Sequence, residues 1–313
     1  MTSSPTPGYI DVQVNGYAGV DFNQDALSSE DFHRACEALA AAGVASFLPT
    51  IVTEHLDKMA ARLARLVELR VQDDLARQLI TAVHIEGPFL SPLDGYRGAH
   101  PADAIQPADV DAMKRLLDAA GGLTRIVTLA PECDPGLATT RMLVREGITV
   151  SAGHCDPTLE QLDAAIDVGL AMFTHLGNGC PRQMDRHDNI VQRALSRAAK
   201  LRLGFIADGV HVPLVALGNY LRLAGLERCF VVTDAMAAAG LGAGVHRLGR
   251  WEVEVGEDLV AWAPGKAHLV GSAMTMPQAA ANLRQGLGLT PPQILQLTRD
   301  NPADAIGLTI AAA

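Results

Sequence analysis

The sequence has few aromatic side chains, no excess of basic residues and no apolar run long enough to cross a membrane. Aromatic residues make up 4% of its 313 residues, so the core has to be built from small and aliphatic side chains. The net charge is −10, and without a basic excess to displace counterions from phosphates, nucleic acid is excluded as the main partner. The apolar runs fall well short of the ~20 residues that span a bilayer, so a membrane partner is not expected either.

The sequence also lacks the features of a secreted or disulfide-bonded protein. Residues 1–8 have neither the basic start nor the hydrophobic block of a signal peptide. The cysteines are odd in number and show no Cys-x-x-Cys spacing, which argues against a disulfide framework and a cysteine-rich zinc site. They are Cys36, Cys133, Cys155, Cys180 and Cys229. We therefore expect a cytoplasmic protein with reduced thiols.

The sequence does contain a repeated alternation of short apolar runs and longer helical patterns. Apolar residues make up 49% of the chain and charged residues 19%, which excludes a disordered protein. Most of the short runs are apolar throughout, as expected of parallel strands buried on both faces. The predicted strands are 9–14, 44–48, 79–85, 125–129, 149–151, 171–174, 202–207 and 229–233. The predicted helices between them are 29–42, 54–71, 107–120, 135–146, 158–168, 190–199 and 213–223.

Eight strand–helix units on one chain predict a (β/α)8 TIM barrel, with an open doubly wound sheet as the alternative. The pattern changes after the eighth strand, where residues 249–260 alternate like a β-hairpin and two or three helices follow. The length suits one large α/β barrel, so we expect residues 1–313 to form a single domain.

Titratable side chains follow several of the predicted strands, at the end of a barrel where catalytic groups stand. Glu86, His154 and His175 provide one carboxylate and two imidazoles, a suitable shell for a catalytic zinc or similar divalent ion with one position open for water. Such an ion would lower the pKa of the water and polarise a carbonyl. Asp234, after the last strand, can accept a proton from that water and return it to a departing amine. The four residues together indicate hydrolysis of an amide.

Each of these residues also has a simpler interpretation when it is taken alone. His154 could be a hydrogen-bonded core histidine, Glu86 a turn residue before Gly-Pro, and Asp234 the cap of the next helix. The joint position of all four at predicted strand ends favours the metal site. His84 alternates with Glu86 one step deeper in the barrel, so we expect it to be structural.

Eight segments of the chain carry a resemblance to a known family. They are Asp11-Val-Gln-Val-Asn-Gly, His84-Ile-Glu-Gly-Pro-Phe-Leu, Gly98-Ala-His-Pro, Thr128-Leu-Ala-Pro-Glu, Ser151-Ala-Gly-His, Thr174-His-Leu-Gly-Asn-Gly, Ala207-Asp-Gly-Val-His and Val232-Thr-Asp-Ala-Met-Ala-Ala-Ala-Gly. In this order they resemble the N-acetylglucosamine-6-phosphate deacetylases of the amidohydrolase superfamily, over about residues 9–308.

The resemblance implies a metal-dependent barrel that converts N-acetyl-D-glucosamine 6-phosphate to glucosamine 6-phosphate and acetate. It assigns the metal to Glu86, His154 and His175 and the acid/base role to Asp234. Where many amidohydrolases have His-x-His, this chain has Gln13 and Asn15, which are poor ligands, so we expect one metal ion per chain. Zinc is the expected metal, and Fe²⁺, Mn²⁺ or Co²⁺ would fit the same ligands.

The resemblance also implies a set of substrate contacts and a homodimer whose neighbouring subunit completes a phosphate site. Arg186 can form paired hydrogen bonds to a phosphate, and His211 can add another. The implied contacts are Ala99, His100, Asn178, Gly179, Arg186, His211, Leu269, Val270 and Gly271.

The chain departs from the family in places that bear on substrate and assembly. We expect the family's small β-domain to be absent; His-Asp-Asn follows Arg186 where Glu-Pro-Gly is usual, and Cys180 replaces a larger residue. Two other functions therefore stay open: an amidohydrolase acting on a different N-acyl amine or cyclic amide, and a non-catalytic barrel that binds a sugar phosphate.

Overall fold

The computed structural model describes residues 8–248, 251–256, 260–262 and 269–309. The strands in these ranges are β1 (Tyr9–Val14), β2 (Gly16–Tyr17), β3 (Val20–Asp21), β4 (Val44–Val52), β5 (Val83–Glu86), β6 (Thr124–Leu129), β7 (Thr149–Ala152), β8 (Leu170–Phe173), β9 (Arg202–Ile206), β10 (Cys229–Val232), β11 (Gly244–Leu248), β12 (Trp251–Val255), β13 (Val260–Trp262) and β14 (Leu269–Ser272). The α-helices are α1 (Ser29–Ala41), α2 (Leu56–Gln72), α3 (Asp74–Leu79), α4 (Val110–Ala119), α5 (Ala138–Arg145), α6 (Leu159–Asp167), α7 (Ile190–Ser196), α8 (Leu214–Ala224), α9 (Met276–Leu287), α10 (Pro291–Leu295) and α11 (Asn301–Ala305).

Eight parallel strands form the central sheet in the order β1-β4-β5-β6-β7-β8-β9-β10, so each pairs with the next barrel strand along the chain. The first and last of them meet at a parallel bridge between Val14 and Ala235, where the Asn15 N–H donates to the Ala235 carbonyl at 2.7 Å. The predicted (β/α)8 barrel is therefore confirmed, and the open doubly wound sheet is not.

The strands and helices follow the apolar patterns in the sequence. Every residue of β1, β5 and β10 is buried, as expected of strands covered on both faces. In α1 the Ser28 hydroxyl accepts a hydrogen bond from the Asp31 N–H, and the helix buries residues at helical spacing. Within the described residues, no helix has the length and apolar character that a membrane span requires.

The predicted third strand is wrong in its first half. Residues Asp74–Leu79 form α3, because the Asp73 carboxylate accepts hydrogen bonds from the N–H groups of Leu75 and Ala76 and caps a helix there. The strand proper begins only at Val83. A short apolar run such as 79–85 does not by itself distinguish helix from strand.

The predicted hairpin at 249–260 belongs to a larger antiparallel sheet, β11-β12-β13-β14. Strands β11 and β12 form the hairpin itself, about five residues earlier than predicted, and residues 249–250 and 257–259 lie outside the described part of the chain. A small second core joins this sheet to the segment after β10 through Ala238, Val253, Val255, Ala261 and Ala273. The assignment of residues 1–313 to one domain remains a prediction.

A buried carboxylate, Asp11, links the two strands at the closure of the barrel. One oxygen accepts the Thr233 hydroxyl at 2.5 Å, and the other accepts the Thr233 N–H at 3.2 Å and the Gln13 N–H at 3.3 Å. The Thr233 hydroxyl oxygen in turn accepts the Ala235 N–H at 3.1 Å. Burial is the main cause that raises the pKa of Asp11 from 3.8 to about 7.

Because the pKa of Asp11 is raised in the folded protein, we expect its contribution to the free energy of unfolding to fall as pH rises. Between the ordinary value of 3.8 and about 7, the folded chain keeps a proton that the unfolded chain has lost, so the free energy of unfolding falls with rising pH. Urea unfolding across this range should show a shallower fall for Asp11→Asn than for the wild type. Asp111→Asn, which removes an exposed carboxylate, controls for net charge. Equal pH dependence in wild type and Asp11→Asn would contradict the prediction.

Candidate functional site

The carboxyl ends of β5, β7 and β8 bring Glu86, His154 and His175 together, as the sequence predicts. The Glu86 Oε1 lies 3.0 Å from the His175 Nε2 and 3.2 Å from the His154 Nε2, and the two Nε2 atoms are 3.1 Å apart. All three side chains are buried, and no other group of three or more potential ligands of this kind occurs in the described ranges. Ligands that share one zinc ion at bonds of about 2.0–2.2 Å have comparable separations, so the donor set fits a divalent ion.

Surrounding groups turn a free lone pair of His154 and of Glu86 toward the cluster. The His154 Nδ1–H donates to the Tyr96 carbonyl at 2.8 Å, which leaves the lone pair on Nε2. The Gln13 amide donates to the Glu86 Oε2 at 3.1 Å and leaves Oε1 for the cluster. Acceptor atoms this close repel one another unless a proton or a metal ion lies between them, and a divalent ion can take the place of the proton.

The electrostatics of the cluster favour positive charge. Burial alone would raise the pKa of Glu86, but the contacts with His154 and His175 hold it well below its usual 4.5. Burial lowers the pKa of His175, yet the Glu86 carboxylate outweighs this and gives a net rise. Glu86 therefore remains an anion at neutral pH and can serve as a charged ligand.

Three site residues have a left-handed backbone, which side chains other than glycine rarely adopt. The φ angles are +50° at His154, +34° at His175 and +49° at Asp234. This conformation costs of the order of 1–3 kcal/mol per residue and persists only where the surrounding structure enforces it. All three follow barrel strands, so the fold bends the chain sharply at the points where it presents these side chains.

Two glycines allow the close packing of the His154 ring. A Cβ atom on Gly179 would lie 2.7 Å from the His154 Nδ1, and one on Gly98 would lie 3.0 Å from its Cε1. Both glycines also have positive φ, +59° and +57°. Gly179, one of the implied substrate contacts, therefore also has a packing reason to be glycine.

Asp234 is held by Asn15, whose amide donates to Asp234 Oδ1 at 2.6 Å. Burial raises the pKa of Asp234 above its usual 3.8, and the positive charge of His175 opposes this shift. A carboxyl group with a raised pKa is suited to accept and return a proton near neutral pH. Gln13 and Asn15, expected only as missing ligands, are thus donors to a predicted metal ligand and to the predicted acid/base.

His100, expected only as a substrate contact, lies directly against the cluster. It is buried, with Nε2 3.2 Å from the His154 Nε2 and 4.0 Å from the Glu86 Oε1. Burial is the main cause that lowers its pKa to about 3, so the ring is neutral at neutral pH. A neutral imidazole in this place can donate a hydrogen bond to an oxygen that approaches the cluster.

The remaining predicted substrate residues are spread around the barrel mouth. Asn178 is half-buried, with its amide donating to the His175 carbonyl at 3.2 Å, whereas Ala99 and Arg186 are exposed. Gly271 lies on β14, which is bridged to Ala235 through Ser272. The side chains of Leu269 and Val270 lie outside the described part of the chain.

His211 is oriented by a carboxylate that the sequence reading did not single out. Its Nδ1–H donates to Asp208 Oδ2 at 2.5 Å, and Asp208 Oδ1 accepts the N–H groups of Val210 and His211. Burial raises the pKa of Asp208, but the contacts with His211 outweigh it and lower the pKa overall. The spacing Asp-x-x-His in the sequence could have indicated this pair, since it places the two side chains three residues apart after one strand.

Comparison with known proteins gives a consistent result, although no family model matches the chain. The chain is 36% identical over 312 residues to N-acetylglucosamine-6-phosphate deacetylase of Bos taurus, which covers 96% of this chain and 74% of that protein. It is 33% identical over 306 residues to N-acetylgalactosamine-6-phosphate deacetylase of Escherichia coli O157:H7. That match covers 96% of this chain and 78% of that protein.

A solved structure agrees with these relatives in both sequence and shape. N-acetyl-D-glucosamine-6-phosphate deacetylase from Mycobacterium smegmatis, a mutant of which was determined in complex with N-acetyl-D-glucosamine-6-phosphate, superimposes with a TM-score of 0.85 at 32% identity. The match covers 97% of this chain and 78% of that one. With identity above 30% over most of both sequences, this chain belongs to the N-acetylglucosamine-6-phosphate deacetylase family of amidohydrolase-type barrels.

Proposed function

We propose that this chain hydrolyses the acetamide of N-acetyl-D-glucosamine 6-phosphate and releases glucosamine 6-phosphate and acetate. The observation that carries the proposal is the convergence of Glu86, His154 and His175, with Asp234 following the last barrel strand, in a member of this family. We also propose a cytoplasmic homodimer, in keeping with the sequence expectation.

Glu86, His154 and His175 would hold one divalent ion, and zinc suits this Glu/His/His set best, although Fe²⁺, Mn²⁺ and Co²⁺ accept the same ligands. When bound, the ion lowers the pKa of a water molecule and polarises the acyl carbonyl. The amides of Gln13 and Asn15 donate to Glu86 and Asp234, which supports a single ion per chain.

The protein groups then handle the proton and orient the acyl group. Asp234 takes a proton from the attacking water and delivers it to the nitrogen as the amide C–N bond breaks. The Asn15 amide holds Oδ1 of Asp234, so Oδ2 is the oxygen available for this transfer. His100, neutral and adjacent to the cluster, donates a hydrogen bond to the acyl oxygen as negative charge develops on it.

The rest of the substrate would be held by the groups around the barrel mouth. Arg186 and His211 bind the phosphate, and Asp208 fixes the ring of His211 for this contact. The sugar lies against the remaining predicted contacts Ala99, Asn178, Gly179, Leu269, Val270 and Gly271.

A second substrate has a specific observation in its favour. A relative named N-acetylgalactosamine-6-phosphate deacetylase is 33% identical to this chain, close to the value for the N-acetylglucosamine-6-phosphate deacetylases. The two sugar phosphates differ in the configuration of one hydroxyl, so the same metal and acid/base groups would serve both.

Acetate release from three compounds tests the proposed substrate. We expect turnover of N-acetylglucosamine 6-phosphate by protein carrying one divalent ion per chain, and loss of turnover after chelation. The kcat/KM for unphosphorylated N-acetylglucosamine should be lower by about 10²-fold or more, because charge-assisted hydrogen bonds to the phosphate are lost. Faster turnover of N-acetylgalactosamine 6-phosphate would favour the second substrate, and equal rates with and without phosphate would remove Arg186 from its role.

Replacement of the proposed acid/base should separate proton transfer from metal binding. In Asp234→Asn the new side chain has the same shape and can still accept the hydrogen bond from the Asn15 amide, but it cannot take a proton. We therefore expect kcat to fall on the order of 10²-fold or more while metal content is unchanged. Initial rates and elemental analysis check both quantities. Asp134→Asn, which alters a buried carboxylate bound to Thr139 and Thr140, is the matched control. Wild-type turnover by Asp234→Asn would contradict the assignment.

Crowding of the His154 ring should weaken the metal site. The added methyl group of Gly179→Ala would meet the ring at 2.7 Å, so we expect lower metal occupancy and lower kcat together. Gly288→Ala is the control, since Gly288 has φ +68° but open space around it and therefore carries the backbone strain alone. If both variants kept full metal content by elemental analysis, the tight packing of His154 between Gly98 and Gly179 would not matter for binding.

A further inference from the structure

We propose that Arg193 is a positioning residue that fastens the segment bearing Arg186 to the loop bearing His154, and so places Arg186 for the substrate phosphate. The inference rests on the proposed function, because it explains how Arg186, the proposed phosphate-binding residue, is held in place. Arg193 itself lies on α7 and does not belong to the set of predicted contacts.

The Arg193 guanidinium bridges two loops that are far apart in sequence. Its Nη1 donates to Asp156 Oδ1 at 2.8 Å and to the Pro157 carbonyl at 3.0 Å. On the other side, Nε donates to Asp188 Oδ1 at 2.6 Å and Nη2 to the Asp188 carbonyl at 3.3 Å. The side chain is only 14% exposed, which is unusual for a surface helix arginine and indicates a built contact.

The Asp156 side of the bridge is tied to the metal site. Asp156 follows His154 by two residues, and its N–H donates to the Glu132 Oε1 at 2.6 Å. Burial and then the Asp156 carboxylate raise the pKa of Tyr96, whose carbonyl accepts the His154 Nδ1–H. This loop is therefore held by groups other than Arg193 and provides a fixed support.

The Asp188 side of the bridge ends a small turn that contains Arg186. The Asp185 Oδ1 accepts the N–H groups of His187 at 2.9 Å and Asp188 at 2.8 Å, and the Asn189 amide donates to the Asp185 carbonyl at 2.8 Å. The turn is closed on itself but exposed from Asp185 to Asp188. Asn189, which caps α7, and Arg193 attach the exposed part of this turn to the barrel.

The bridge has an electrostatic consequence as well. Asp188 lies two residues from Arg186 and, left free, would compete with a phosphate for that guanidinium. Arg193 binds Asp188 instead, and Arg186 forms no ion pair with any described side chain. In a chain with a net charge of −10, keeping one arginine unpaired at the barrel mouth favours binding of an anion.

Kinetics of Arg193→Met with phosphorylated and unphosphorylated substrate test the role. Because Asp188 is 77% exposed and surface ion pairs are weak, we expect a rise in KM for the 6-phosphate of about 10-fold at most, with kcat and metal content unchanged. The kcat/KM for unphosphorylated N-acetylglucosamine should not change. Arg197→Met is the matched control: Arg197 ends the same helix and pairs with Asp163 at 2.5 Å, away from both loops.

A double-mutant cycle with Arg186→Met identifies the route of the effect. If Arg193 acts through Arg186, then Arg193→Met should raise KM no further in the Arg186→Met background. Should Arg193→Met fail to fold, Asp188→Ala removes the side-chain acceptor of the Arg193 Nε–H. It also removes the charge that would compete for Arg186, so a rise in KM of about 2- to 5-fold would report the lost attachment alone.

Two results separate this inference from the proposed function. A wild-type chain with no preference for the phosphorylated sugar would contradict the proposed function, and this inference with it. A preference that Arg193→Met leaves intact, or an equal loss for both substrates, or an undiminished effect in the Arg186→Met background, would overturn the role of Arg193 alone.

Discussion

Three buried ligand atoms, which lie 3.0–3.2 Å apart, are the constraint on which the rest of this structure depends: the Glu86 Oε1 and the Nε2 atoms of His154 and His175. Acceptor atoms this close need a proton or a metal ion between them, and the protein holds them in place from outside. The Tyr96 carbonyl fixes the tautomer of His154, the Gln13 amide fixes one oxygen of Glu86, and two glycines admit the His154 ring. Left-handed backbone at His154 and His175 is the local cost of aiming both rings at one point.

Strand β1 shows how a strand without a ligand can still organise the site. The side chains of Asp11 and Gln13, and of Asn15 directly after the strand, alternate and point to one face. Each holds a different neighbour: Thr233 at the barrel closure, Glu86 in the cluster, and Asp234. The strand therefore fixes the relative position of the proposed metal ligand and the proposed acid/base, which lie on different strands, without contributing to the ligand set.

The strand ends were predictable because each polar motif directly follows an apolar run, and parallel strands of a barrel end at one mouth. Other features carry no such signal. The Tyr96 carbonyl is backbone, so residue type does not mark it, and Arg193 looks in the sequence like any surface helix arginine. In the sheet β11–β14, the strands β13 and β14 have only three and four residues, too few to show an alternating pattern, and α3 is decided by a single cap at Asp73.

A layer of polar side chains beneath the cluster carries no charge, so charge in this part of the barrel is confined to the cluster and the mouth. The His84 Nδ1–H donates to the Val12 carbonyl, so its Nε2 must accept from the Thr128 hydroxyl at 2.8 Å. Thr128 must then accept from Thr174, and Thr174 from Ser151, each at 2.7 Å. Each hydrogen bond in this row therefore has a fixed donor and acceptor. Burial lowers the pKa of His84 to about 4, so the layer stays neutral. A cation above it therefore meets the carboxylate of Glu86 and, at the mouth, that of Asp234, the two carboxylates that the chemistry needs.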